Sequence, residues 1–537
     1  MDNAEIADRL EAFSSLLELA EANPYMARAY RRAAETVRGA PVPVADLVRA
    51  GRARDLRGIG RGIEGKLREL VETGEIAELA ELERELAPDL VGLGRYLGLS
   101  AKRSVELARA LGVRTADELR EAAAAGRLQS VPGIGAKTEA RLIEALGREA
   151  DPRPRRGLLL NQAWELVAAI AAALDGEPAG DVRRRRDSCE RLAVVCAARD
   201  PLPLLGQFTT LPQIVAVVDQ DVRCALGVTV EGVPVELVVA EPESFGTALV
   251  RATGSEEYVA ALEPLPDAPD EAAVYSALGL SWCPPELREQ PFSGEPPVLV
   301  QTADIRGDLH CHSTWSDGRA SVEEMARAAR ERGYDYLAIC DHTPAVGAVR
   351  GLSPDEVRRQ ADEIAAANEA LAPFRVLRGI ECDILPDGRL DLPDDVLAEL
   401  DWVQASVHGG QRMPRRELTK RVEAALRNPY VRCLSHPKGR LINRRPENAL
   451  DLERVFELAL EEDVAVEVNG LPPRLDLSGE HVREALRAGL RVVCSTDAHS
   501  VRGLGNMELS VATARRGWAT AADVLNTRPL KEVLSRS

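Results

Sequence analysis

Apolar residues recur at helical spacing through the first 150 positions, in IADRLEAFSSLLELAEA and SVELARALGV, with glycine-rich turns between the runs. That period gives each helix one apolar face to bury and predicts an all-helical region. Residues 151–157, DPRPRRG, combine proline, glycine and charge and predict a linker. From 158 to about 290 the runs turn β-rich, in RLAVVCAA, QIVAVV, CALGVTV and VPVELVVA, between short helical segments. That predicts a mixed α/β domain. A second linker, PFSGEPPVLVQTA, covers 291–303. From 304 onward short apolar strands alternate with helices, the pattern of parallel βα units. Seven strands are predicted, over 304–309, 335–340, 374–380, 402–407, 431–435, 464–468 and 491–495.

The polar residues that follow these strands carry the clearest chemistry. GDLHCHSTWSDG brings His310, His312 and Asp317, and YLAICDHT brings His342. Further on come Glu381 in GIECDIL, His408 in VQASVHGG, His436 in VRCLSHPKGR, and Asp497 and His499 in VVCSTDAHS. In a parallel βα barrel the C-terminal ends of the strands converge on one face. A His-x-His pair on an extended segment points two imidazoles to one side. Imidazole with carboxylate suits Zn, Mn or Fe rather than Ca. Nine donors are too many for one ion, so two or three ions are expected, with Glu381 as the bridge. His481, inside the helical GEHVREALRAG, is expected on the surface.

Composition sharpens this. The chain has 537 residues, 7 of them His, and none of the first 309 is His. Six of the seven therefore belong to the strand-end set. The length predicts three or four domains. The net charge of −18 argues against a surface coated with phosphate-binding charge, although local patches decide DNA binding. Nine cysteines without a CxxC pair read as reduced thiols of a cytoplasmic protein. No apolar run is long enough for a membrane span, and the acidic N-terminus does not read as a secretory signal.

Two turns in the helical region match each other. LRGIGRGIEGKLREL holds Gly58, Gly60 and Lys66, and VPGIGAKTEARLIEAL holds Gly133, Gly135 and Lys137. A Gly-x-Gly turn leading into a helix exposes backbone N–H groups that bind a phosphate oxygen. Such turns resemble helix-hairpin-helix motifs, which hold the DNA backbone without reading sequence.

NPYMARAYRRAAETV, the two hairpins, FGTALVRATGS and LGLSWCPPELRE resemble bacterial family X DNA polymerases. The C-terminal region resembles the PHP (polymerase and histidinol phosphatase) domain of those enzymes. The resemblance covers almost the whole chain. It implies a multidomain protein with an all-α helix-hairpin-helix N-terminal region, an α/β nucleotidyltransferase-like palm and thumb, and a C-terminal distorted (β/α)7 barrel. The corresponding boundaries are 1–80, 81–150, 151–292 and 304–537. It also implies three metal positions. His310, His312, Glu381 and Asp497 surround the first and are the catalytic set. Asp317, His342 and His499 surround the second, and Glu381, His408 and His436 the third.

The resemblance fails at one place. Where the family has Gly-Ser-x-Arg-Arg and then Gly-Asp-x-Asp, this chain reads GDVRRRRDSCERLAVV. Gly180, Arg183 and Arg184 fit. The nucleotide-contacting serine falls on Asp181, the two strand aspartates on Arg191 and Ala193, and the third carboxylate on Glu236. Nucleotidyl transfer needs carboxylates that clamp two divalent ions. The polymerase site is therefore expected to be inactive.

The resemblance implies a DNA-repair phosphodiesterase acting as a metal-dependent 3'-5' exonuclease, with manganese the first choice of ion and zinc or iron behind it. Its mechanism is metal-assisted hydrolysis. Arg183, Arg184, Lys438 and Arg440 are candidate phosphate contacts. The expected partners are gapped, nicked or 3'-ended DNA and no membrane, for a monomer at the bacterial nucleoid. Two other readings stay open: an active gap-filling polymerase with an exonuclease, and a small-molecule phosphoesterase.

Overall fold

A computed structural model describes residues 157–229, 232–347 and 349–535. Within the first 156 residues it describes 24–38, 44–56, 58–79 and scattered positions in 6–17 and 107–134. The chain divides into two compact units, residues 1–155 with 198–239 and residues 156–197 with 240–537. Among the described residues, no helix is long and apolar enough to cross a membrane.

In the first unit, α1 (Pro24–Arg38), α2 (Val44–Arg49) and α3 (Arg61–Thr73) pack around Phe13, Tyr30, Val37, Val48, Ile63 and Leu67. The Gly58-Ile59-Gly60 turn leads into α3 as predicted. Gly58 has φ +87°, a conformation that a side chain would strain. Gly60 is the N-cap of α3 and supplies no side-chain cap.

The mixed region begins with α4 (Leu160–Leu174), followed by β1 (Glu177–Gly180) and β2 (Leu192–Ala197). β1 and β2 pair antiparallel, with Ala179 opposite Ala193 and Gly180 opposite Leu192. Gly180 has φ +75°, and a Cβ there would lie 2.5 Å from the Arg191 carbonyl oxygen. In the first unit β3 (Ala216–Gln220), β4 (Cys224–Val228) and β5 (Pro234–Ala240) form an antiparallel meander. In the second unit α5 (Phe245–Thr253) and α6 (Glu271–Ala277) follow.

The C-terminal region is a seven-stranded parallel sheet in simple sequential order. Its strands are β6 (Gly307–Cys311), β7 (Tyr336–Ile339), β8 (Arg375–Asp383), β9 (Trp402–Ser406), β10 (Cys433–Leu434), β11 (Ala465–Asn469) and β12 (Val492–Ser495). A parallel bridge between Cys311 and Ala498 brings the ends together, so the barrel is nearly closed. The strands are buried on both faces, which is why they read as unbroken apolar runs rather than alternating ones. Tyr336, Ala338 and Cys340 join an inner cluster with Leu309, Trp402 and Val493, while Leu337 and Ile339 face the outer layer. That layer includes α7 (Val322–Glu331), α8 (Pro354–Leu371), α9 (Arg415–Leu426), α10 (Leu452–Glu461), α11 (Gly479–Arg487) and α12 (Met507–Arg516). Capping boxes Ser321/Glu324 and Ser353/Glu356 start α7 and α8 by satisfying orphan N–H groups at their first turns.

Candidate metal centre

All nine strand-end residues meet at one mouth of the barrel. Donor atoms of His312, Asp317, His342 and His499 lie within 4.8 Å of one another. So do those of His310, His312 and Asp497, and those of His342, Glu381 and His408. Glu381 is central. Its carboxylate is 2.8 Å from His436 Nε2, 2.9 Å from His342 Nδ1, 3.3 Å from His408 Nε2 and 3.5 Å from His310 Nε2. Asp497 lies 3.1 Å from His312 Nε2, and Asp317 lies 3.1 Å from His499 Nε2. The grouping differs from the expected one. His312 and His342 are each shared between two clusters, because their stacked rings, 4.5 Å apart, stand between the carboxylates.

The backbone is bent to reach this arrangement. His436 and Asp497 have φ +23° and +50°, values that residues with side chains adopt only where the surroundings hold them. Both sit directly past a strand end, where the chain turns to direct its side chain across the mouth.

Electrostatics favours a cation. Burial opposes ionisation of Glu381, but the imidazoles of His408, His342 and His310 outweigh it and hold its carboxyl well below the usual range. Asp497 is likewise held low, against burial, by His310, His312 and Arg474. Burial pushes the His312 imidazole down to about 3, with His499 and His342 adding to the effect. His408 is lowered by burial but raised more by Glu381 and Asp383, to about 10. His310 Nε2, His312 Nδ1, His342 Nδ1 and His436 Nδ1 are buried and make no hydrogen bond. Buried polar atoms in folded chains almost always have a partner. Ring nitrogens left without a hydrogen bond among carboxylates, two of them facing Glu381, fit divalent ions of the Mn, Zn or Fe type.

Sequence reading missed the residues that hold these side chains in place. Glu467 on β11 is fully buried and accepts from His310 Nδ1 at 2.6 Å, His436 N at 2.7 Å and the hydroxyls of Ser435 and Ser495. Asn469 Nδ2 bridges Glu467 Oε2 at 3.2 Å and Asp497 Oδ2 at 3.0 Å. Asp383 lies 3.1 Å from His408 Nδ1. Asp341 accepts from Ser313, Ser316 and Gln360 and fixes the loop that carries Asp317. One signal for Glu467 was present: an acid inside the apolar run VAVEVNG costs too much to bury without partners.

The expected phosphate contacts are corrected. Arg183 forks onto Glu271 at 2.6 and 3.0 Å. Arg184 is buried against Asp181, Glu289 and the Thr253 carbonyl. The Lys438 ammonium is turned inward to the Leu450 carbonyl oxygen at 3.2 Å. Arg440 donates to Asp187 and to the carbonyls of Arg474 and Leu475. Internal acceptors take these cations, because burying them unpaired would cost far more. Lys66 pairs with Glu69 at 3.2 Å and Glu78 at 3.0 Å. His481 is half-buried rather than on the surface, 3.7 Å from Glu447.

Arg191 lies just before β2, exposed and 3.1 Å from Glu256, and Ala193 is buried. Glu236 lies on β5 opposite Leu226. Gly133, Gly135 and Lys137 lie outside the described residues. The nine cysteines are free thiols.

The Helix-hairpin-helix domain family matches residues 1–76, the SAM-like Helix-hairpin-helix tandem 97–148, and the PHP domain 308–469. The chain is 35% identical to the DNA polymerase/3'-5' exonuclease PolX of Bacillus subtilis, over 99% of each chain. It is 33% identical to a probable phosphatase of Acetivibrio thermocellus, over 36% of this chain and 78% of that protein. A probable phosphatase of Thermoanaerobacter sp. is 28% identical over 41% of this chain and 89% of its own length.

Proposed function

This chain belongs to the bacterial family X DNA polymerases that carry a C-terminal PHP domain, and from that premise we propose that it is a metal-dependent 3'-5' exonuclease of DNA whose polymerase site is inactive. The convergence of nine histidine and carboxylate side chains at one barrel mouth carries this reading. His310, His312, Asp317, His342, Glu381, His408, His436, Asp497 and His499 would hold two or three divalent ions, manganese first. When bound, such ions supply Lewis acidity toward phosphoryl oxygens and acidify water.

The chain's own residues supply the rest. Glu381 stands between four imidazoles and ties the ligand groups together. Glu467 holds the His310 ring through Nδ1, leaving Nε2 directed at Glu381. The first-turn N–H groups of α3, uncapped at Gly60, are placed to bind a backbone phosphate of DNA. Arg191 and Ala193 offer no ligand where polymerisation needs two carboxylates. The protein acts at gapped, nicked or 3'-ended DNA, as a monomer in the bacterial cytoplasm.

Replacing His310 and His312 together by Ala tests the assignment. Shortening of a labelled DNA strand in Mn2+ is expected to fall at least a hundredfold while DNA binding is unchanged. Cleavage at the wild-type rate would place the chemistry elsewhere. A second reading, hydrolysis of small phosphate esters, is favoured by the likeness of the barrel to the probable phosphatases. Release of phosphate from sugar phosphates without shortening of DNA would support it.

A further inference from the structure

The arginine-rich turn between β1 and β2 is the segment that the family resemblance assigns to nucleotide contact, and here it is folded inward. Asp181 accepts from Arg184 and from the N–H groups of Glu190 at 2.8 Å and Arg191 at 2.9 Å. Arg184 and Arg186 both reach Glu289 at 3.1 Å. The last residue of the turn, Asp187, is left facing the barrel. Its carboxylate lies 2.7 Å from Arg440 Nη1 and 3.6 Å from Arg516 Nη1. Those two arginine side chains are 12% and 5% exposed, so Asp187 neutralises two buried cations. Burial works against ionisation of Asp187, but Arg440 and Arg516 outweigh it and hold its carboxyl low. Beside it the Ser188 hydroxyl lies 3.3 Å from Asn443 Oδ1, and Asn443 Nδ2 donates to the Gly157 carbonyl at 2.7 Å. All of these groups belong to one compact unit.

The barrel segment seated on this turn runs from His436 to Asn443. It starts at a candidate ligand with a strained backbone. Four residues on, Arg440 joins Asp187 to a second loop, donating from Nε to the Arg474 carbonyl at 2.9 Å and from Nη2 to the Leu475 carbonyl. Arg474 in turn lies 3.6 Å from Asp497 Oδ2, and Lys438 N donates to Asp476 Oδ1 at 3.2 Å. One ion pair therefore ties the turn to two loops, one carrying His436 and the other lying against Asp497. Without the carboxylate, Arg440 and Arg516 would be buried beside one counter-charge fewer, and the seat would loosen.

We propose that Asp187 is a positioning residue for the metal centre: the turn that served a nucleotide site in related enzymes acts here as a clamp that holds the His436 and Arg474 loops in ligand geometry. The proposal rests on the assignment of the nine residues as metal ligands. Asp187→Asn in the full chain tests it, since the variant keeps the size and removes the charge. Outer residues that orient metal ligands change affinity by about 10–100-fold when removed. Calorimetric titration with Mn2+ and no DNA is expected to show at least one class of sites weakened about tenfold. The Mn2+ concentration for half-maximal cleavage should rise in parallel, with the rate at saturating Mn2+ within about twofold of wild type. Asp187→Glu should restore most of the affinity. Asn443→Ala, which removes a neutral contact of the same seam, should weaken Mn2+ binding less and in the same direction, and it decides the matter if Asp187→Asn does not fold. Wild-type Mn2+ affinity in a folded Asp187→Asn chain, or in Asn443→Ala where that variant decides, would overturn the clamp. A wild-type chain that binds no Mn2+ would remove the ligand assignment itself and the clamp with it.

Discussion

Glu467 contributes to the centre without being a candidate ligand. Its carboxylate receives the His310 ring, the His436 backbone and two serine hydroxyls, and through Asn469 it connects to Asp497. It thereby fixes which His310 nitrogen faces Glu381. Glu467→Gln would present an amide donor to His310 and force the other tautomer or a rotated ring. Mn2+ affinity is expected to fall about 10–100-fold with the fold retained, as read by calorimetry and circular dichroism. Unchanged affinity would show that Glu467 serves packing alone. The nine donors themselves were legible because histidine is scarce and six of seven copies end predicted strands. Asp383 is hard to single out because it sits two positions from Glu381, and Glu467 because it lies inside an apolar strand with no histidine beside it. The cationic residues misled for a related reason. Sequence shows that Lys66, Arg184 and Arg440 are charged but not that Glu78, Asp181 and Asp187 fold back to meet them.

Among the elements, strands were legible in order and direction and less so at their ends. β8 runs on to Asp383, past the predicted end at 380, because it carries Glu381 and the acid that holds His408. β10 shrinks to two residues, since the chain leaves the sheet at once to place His436. The turn after β1 was the element least open to sequence reading, because its partners Glu271 and Glu289 lie about 90 to 105 residues away. Glu271, the first residue of α6, also receives Arg288 at 3.1 Å and packs it between α6 and the turn. Burial opposes its ionisation, but Arg288 and Arg183 outweigh it and bring its pKa to about 2. The folded pKa lies below the unfolded one, so this stabilisation is fully present above about pH 4.5 and is lost as pH falls toward about 2. It amounts to roughly 3 kcal/mol at neutral pH. Glu271→Gln is expected to lower the stability of the second unit by about 3–5 kcal/mol at pH 7, because two arginines lose their counter-charge. The gap to wild type should narrow in urea denaturation at acid pH. A gap that stays constant from pH 7 to 3 would contradict this assignment.

At the scale of the molecule, the two helix-hairpin-helix matches precede the PHP match along the chain. The helical start has a helix end without a side-chain cap at Gly60, the proposed DNA contact, and the barrel holds a dense cluster of candidate ligands. In the middle region the proposed loss of polymerase chemistry rests on Arg191 and Ala193, and Arg183 and Arg184 pair with the internal acids Glu271, Asp181 and Glu289. The central claim is hydrolysis of DNA without synthesis. It is tested most directly by incubating a 5'-labelled primer in a gapped duplex with the full chain and Mn2+, with and without the four deoxynucleoside triphosphates. A ladder of shortened primers is expected in both reactions, with no primer longer than the starting strand. Primers extended across the gap when nucleotides are present would contradict it.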